Sequence, residues 1–222
     1  MEKVFSVEEA QNILYPALAD AIGFKYLKSQ RCLKKTVNDL VFEIDFFSNK
    51  YNRSGEMVKI EAELVIMCKK YGKERVNNVI AEKAYRPGAE SGYWYDISTQ
   101  TSLNAIYDKL KEELSTAVDL CNRFENNYTS ATEYMFTELF DEYHVYLDFV
   151  ADNLGIEKIK EKAKEIYSSI PKEDIETYKK IGEELNNMLE KGDKRCLRME
   201  GVKRWMINRS NWKYIMDNHL SC

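Results

Sequence analysis

The chain has 222 residues, 44% of them hydrophobic and 32% charged, with a formal net charge of −4. That length can bury one large core or two small ones without disulfides or metals, and the acidic balance argues against long-range steering of nucleic acid by the body of the chain. The first 20 residues carry Glu2, Glu8, Glu9 and Asp20 and no long apolar run, so neither a secretory signal nor a transmembrane helix is expected, and a soluble, non-membrane protein is.

Five cysteines (Cys32, Cys68, Cys121, Cys196, Cys222) make an odd number with no Cys-x-x-Cys pair. A disulfide framework is not indicated, and a reducing, cytoplasmic setting is the expectation. The charge is unevenly spread: residues 101–192 hold 11 basic and 20 acidic side chains, whereas residues 193–213 hold 7 basic and 2 acidic. An acidic body carrying a basic C-terminal segment suggests self-association or a charged partner.

In chain order, Ser6 with Glu9 three residues later forms a capping box. A first helix is expected over 7–22, kinked or divided at Pro16. Residues 25–35 carry Lys25, Lys28, Arg31, Lys34 and Lys35 and no acid; their second half reads as a strand, and residues 37–39 as a turn. Residues 40–68 hold two runs of period-two alternation. Leu40, Phe42, Ile44 and Phe46 share one face of the first, and Val58, Ile60, Ala62, Leu64, Ile66 and Cys68 one face of the second, which predicts a β-hairpin. Keeping both apolar faces together allows a register with Asp45 opposite Lys59 and Glu43 opposite Glu61, the like charges being offset by Lys34 or Lys35.

Residues 73–83 read as a short helix, and residues 93–98 as an aromatic strand. From Leu103 the period becomes helical: Leu103, Ile106, Leu110, Leu114, Ala117, Cys121 and Phe124 step by three and four, one helix over 101–126. Ser130 and Glu133 form a second capping box, predicted to open a central helix that runs through Tyr134, Phe140, Tyr146 and Val150 to a stop at Gly155. Two further helices flank Pro171, the second ending at Gly192.

The fold class that results is α+β: an N-terminal helix, an antiparallel sheet of three to four strands, and a multi-helix C-terminal half packed on the sheet. The two regions expected are 1–98 and 99–222, forming one body.

No glycine-rich phosphate loop, nucleophile elbow or metal-ligand cluster is present, so no cofactor, no resident metal and no catalytic residue is assigned. Asp141 and His144, with Glu138 a turn earlier, would share one helical face, but a carboxylate-bridged centre needs a second such helix. Glu43, Glu61 and Glu63 on the polar face of the sheet would serve as paired carboxylates if desolvated; a solvated sheet face is the simpler reading. Tyr93, Trp94 and Tyr95 beside Arg86 would offer a stacking platform, or pack the sheet. In the basic segment 194–213, Arg204 and Arg209 are interleaved with Trp205 and Trp212, a composition typical of binding hot spots, and docking within the protein or across a homodimer is the expectation. The function expected is a non-catalytic protein-interaction module, such as an acidic inhibitor or immunity-type partner of a basic effector. A nucleic-acid partner held by residues 25–35 or 194–213 is the alternative, and an enzyme using Glu43, Glu61 and Tyr95 the second.

Overall fold

The computed structural model describes residues 2–71, 78–87, 94–193, 195, 211–212 and 214–221. They divide into two compact units, Met1–Val145 and Tyr146–Cys222. The fold class is α+β, with an N-terminal helix, an antiparallel sheet and then several helices. Three of those helices belong to the first unit, so the change of period near Ser98 is a change of secondary structure inside that unit.

Helix α1, Val7–Ile22, starts on the expected capping box: Ser6 Oγ accepts from the Glu9 N–H at 3.2 Å, and Glu9 Oε2 accepts from the Ser6 N–H at 2.8 Å. The helix runs through Pro16 undivided. The carbonyl that Pro16 leaves without a donor belongs to Asn12, an exposed residue on the solvent side of the helix, while Ala10, Leu14, Tyr15 and Leu18 hold the buried side. Gly23 closes the helix at φ +69°, where a side chain would be strained.

The Glu9 carboxylate is held down to about 2 by the Lys3 ammonium and then by the Ser6 N–H. A folded value below the ordinary 4.5 means its support for α1 is complete above that value and is lost as pH falls through about 2. In an NMR titration the Glu9 carboxyl is expected to show its midpoint near 2, with exchange at the first turn of α1 rising on acidification; a midpoint at the ordinary value would contradict the cap.

The sheet has six strands: β1 Lys25–Leu27, β2 Cys32–Val37, β3 Leu40–Ser48, β4 Lys59–Cys68, β5 Val79–Tyr85 and β6 Tyr95–Asp96. The first five lie in sequence order, each antiparallel to the next, and β6 returns to pair with the start of β4. The β2–β3 turn is Asn38-Asp39, with Asn38 at φ +55°, the left-handed geometry that two-residue hairpins need and asparagine tolerates. The expected faces of β3 and β4 are correct: every residue named for the apolar face is buried. The register differs by four residues, because Asp45 lies opposite Glu63 and Glu43 opposite Val65. Alternation fixes which face a residue takes and leaves even-numbered slips undecided.

Helices pack on the apolar face. Tyr15 of α1 stacks on Phe46 with centroids 4.0 Å apart, and Gln11 Nε2 donates to Ser48 Oγ at 2.7 Å. The stripe expected over 101–126 is present but is carried by two helices, α2 Gln100–Glu113 and α3 Ser115–Asn126, with Leu114 between them. Phe124 of α3 reaches Phe42 at 6.3 Å, and the Phe124 carbonyl accepts from Asn38 Nδ2 at 3.0 Å.

Two further elements differ from expectation. Val79–Tyr85 is strand β5 rather than part of a helix, its Ile80, Ala81 and Tyr85 buried. Helix α4, Tyr128–Glu138, is capped by Asn127, whose side chain accepts from the Ser130 N–H, so Ser130 is not the cap. It does not continue to Val150. The Tyr143 carbonyl accepts from Glu82 N–H of β5, and His144 takes φ +39°, so the chain leaves helical geometry before α5, Leu147–Leu154. The apolar residues expected in one central helix are divided among α4, the turn after it and α5.

The second unit holds α5, α6 Ile156–Ser169, α7 Lys172–Glu190 and a last turn, Tyr214–Asp217. Asn211 is buried, and its Oδ1 accepts from the Leu147 N–H at 2.8 Å, satisfying an otherwise orphan donor at the start of α5. Ile215 and Leu220 are buried as well. Asn211, Ile215 and Leu220 thus pack into this unit, while Arg195 is exposed.

Candidate functional site

Pairing of β2 to β5 puts Lys34, Glu43, Asp45, Glu61, Glu63 and Glu82 on the face of the sheet opposite the packed helices. All six are partly exposed. Glu43, Glu61 and Glu63 therefore do share one face, as their odd positions along two alternating strands predict. Lys34 Nζ sits 2.6 Å from Glu43 Oε2, although the Glu43–Glu61 opposition it was expected to offset does not form, and Arg86 Nε is 3.1 Å from Glu61 Oε2. Among the described residues, Asp45, Glu63 and Glu82 form no ion pair.

The electrostatics follow from that imbalance. Burial raises the Asp45 carboxyl and the adjacent Glu43 adds to it, with Lys34 opposing. Burial also raises Glu63, followed by Glu82, Asp45 and Glu61. Cys32 lies directly opposite Asp45, wholly buried beneath the carboxylates, and its thiol is pushed up to about 11, first by burial and then by Glu43 and Asp45. Phe47, opposite Glu61, is an exposed aromatic on the same face.

Tyr95 is elsewhere. It pairs with Ile60 and so points to the helix-covered face, fully buried, its hydroxyl donating to Glu113 Oε2 of α2 at 2.6 Å. The sheet stands between Tyr95 and the carboxylates of Glu43 and Glu61, so these three do not build one site. Burial, then Glu113, holds the Tyr95 hydroxyl well above its ordinary range, which suits a fixed hydrogen-bond donor rather than an acid–base group. Tyr85 and Tyr143 flank the core-facing Lys83, whose ammonium lies 4.9 Å from each ring and pairs with Glu142.

The remaining candidates separate. Tyr93, Arg204, Trp205 and Arg209 lie outside the described residues; Trp94 and Trp212 are half-buried. Tyr95 is buried against the helices and presents no exposed ring beside Trp94. The cationic run 25–35 is split by its own strands: Lys34 faces outward to Glu43, whereas Lys35 reaches Glu125 of α3 at 3.7 Å on the packed side. Asp141 and His144 are exposed and sit in the turn after α4 rather than on a helix.

Sequence reasoning missed the place of Cys32 and Asp45. The strand expected over 31–36 and the polar face of β3 were both in view; what joined them was a β2–β3 register set by the Asn38-Asp39 turn. No helix among the described residues is long and apolar enough to cross a membrane. The chain matches no family model, no curated protein and no solved structure.

Proposed function

We propose that this protein is a non-catalytic interaction module whose outer sheet face docks a basic protein segment, as an acidic inhibitor engages a basic effector. The observation that carries this reading is the direct opposition of Asp45 and Glu63, with Glu82 beside them. Like charges held face to face work against folding. A guanidinium or ammonium group entering between them relieves the repulsion and gains charge-assisted hydrogen bonds. Phe47 beside this strip adds an exposed apolar anchor, and the acidic excess over 101–192 adds long-range attraction. Buried, unpaired thiols at Cys32, Cys68 and Cys121 support a reducing, cytosolic setting.

Glu63→Gln tests the reading through two opposite effects. Because the folded pKa of Glu63 is raised, its ionisation opposes folding; the penalty is absent below the ordinary carboxylate range and complete above the raised value. The variant is therefore expected to gain up to about 1 kcal/mol at neutral pH, and the gain should vanish below about pH 4. In capture from nuclease-treated lysate, the wild type is expected to retain a basic protein in low salt, and Glu63→Gln and Asp45→Asn to retain at least tenfold less. Equal retention by wild type and variants overturns the docking face, and capture abolished by nuclease transfers the role to nucleic acid.

A further inference from the structure

We propose that Cys32, Glu43 and Asp45 form a binding site for a borderline divalent metal ion of the zinc type. The donor atoms, one sulfur and two carboxylate oxygens, all lie within 4.8 Å of one another. Bonds of about 2.0–2.3 Å to a tetrahedral ion place ligand atoms roughly 3.3–3.8 Å apart, so side-chain adjustments of about an ångström close the site.

The scaffold is rigid where the donors sit. Cys32 and Asp45 are direct partners across β2 and β3, and Glu43 precedes Asp45 by two residues on the same strand face. The sulfur forms a buried floor, and the two partly exposed carboxylates form the rim. Three protein donors with an open fourth side suit a four-coordinate ion that keeps a water. One thiolate with two oxygens favours a borderline metal; calcium and magnesium call for six or more oxygen ligands, which this corner of the sheet does not supply.

Two neighbours complete the chemistry. Gln30 Oε1 accepts from the Cys32 thiol at 3.7 Å, marking the proton that metal binding must release to solvent. Lys34 Nζ now occupies Glu43 Oε2 at 2.6 Å, on a side chain one-third exposed that can turn outward. A thiolate, two carboxylates, a divalent ion and the retained Lys34 ammonium together carry no net charge, so the metal gives Asp45 the direct cationic partner that it lacks among the described residues.

The test uses the intact chain and the metal alone, and it is independent of any protein partner. Cobalt(II) added to reduced protein is expected to give a sulfur-to-metal charge-transfer band saturating at one ion per chain, displaced stoichiometrically by zinc. Cys32→Ser should abolish the band, Cys68→Ser should retain it, and Asp45→Asn should weaken zinc binding at least tenfold by calorimetry. If Cys32→Ser fails to fold, the half-buried Asp45→Asn decides alone. Absence of the band in the wild type, its persistence in Cys32→Ser, or unchanged zinc affinity in Asp45→Asn overturns the site.

Discussion

Replacing Ile44 by aspartate is expected to cost more than about 4 kcal/mol, enough to unfold a marginally stable unit. Ile44 lies at the centre of the apolar face between Leu33 and Leu64, its direct partners on β2 and β4, and is wholly buried. A carboxylate there would lie between Leu33 and Leu64 and would have to stay charged without a partner or take up a proton. Its sequence neighbour gives the control. Glu43 points outward to Lys34, and Glu43→Ala should cost no more than about 1 kcal/mol, the scale of a partly exposed ion pair. Denaturant midpoints read both values. Equal losses would mean that β3 faces the other way.

Phe124→Ala is expected to cost about 3–5 kcal/mol, the range for removing a buried aromatic ring and leaving a void. The ring is 1% exposed, tilted against Phe42 of β3 and meeting Tyr128 edge-on with centroids 5.0 Å apart. It is a contact that ties α3 and α4 to the sheet. The loss should therefore appear in the unfolding of both, with sheet and helix probes shifting together. A cost under about 1 kcal/mol would show that α3 contributes little to the core of the first unit.

What was legible in the sequence was whatever one period decides by itself. Leu40 through Phe46 and Val58 through Cys68 declare their inward face because alternate side chains of a strand go to opposite sides. Ser6 with Glu9, Gly23 and Gly155 mark helix ends through local chemistry. Offsets between strands depend on turns and packing, which is why Asp45 meets Glu63 and not Lys59.

Breaks without glycine or proline were hidden as well. Helix α4 ends at Glu138, and beyond it the chain is kept from resuming a helix where the Tyr143 carbonyl accepts from Glu82 N–H, a contact made by a strand some sixty residues earlier in the chain. β5 was disguised by consecutive buried residues, Ile80 and Ala81, and by a register shift at Ile66/Met67; both blur alternation. The candidate metal donors went unseen for a similar reason. Expectations of metal followed the two histidines, while Cys32, Glu43 and Asp45 converge only once β2 and β3 are aligned.

The order of the strands bears on how the molecule reaches its native state. From β1 to β5 each strand finds its partner in the segment just made, so the sheet can zip outward from the Asn38-Asp39 turn through short loop closures. Local pairing of this kind favours rapid assembly. The exception is β6, which follows a loop and rejoins the same edge of β4 beyond the end of β5, meeting Lys59 and Ile60 at the beginning of β4. Until it does, the hydroxyl of Tyr95 has no fixed route to Glu113, and α2, which follows β6 directly, has no anchored start. The closing of β6 onto β4 is therefore the step at which a nascent meander becomes a sheet with helices across it.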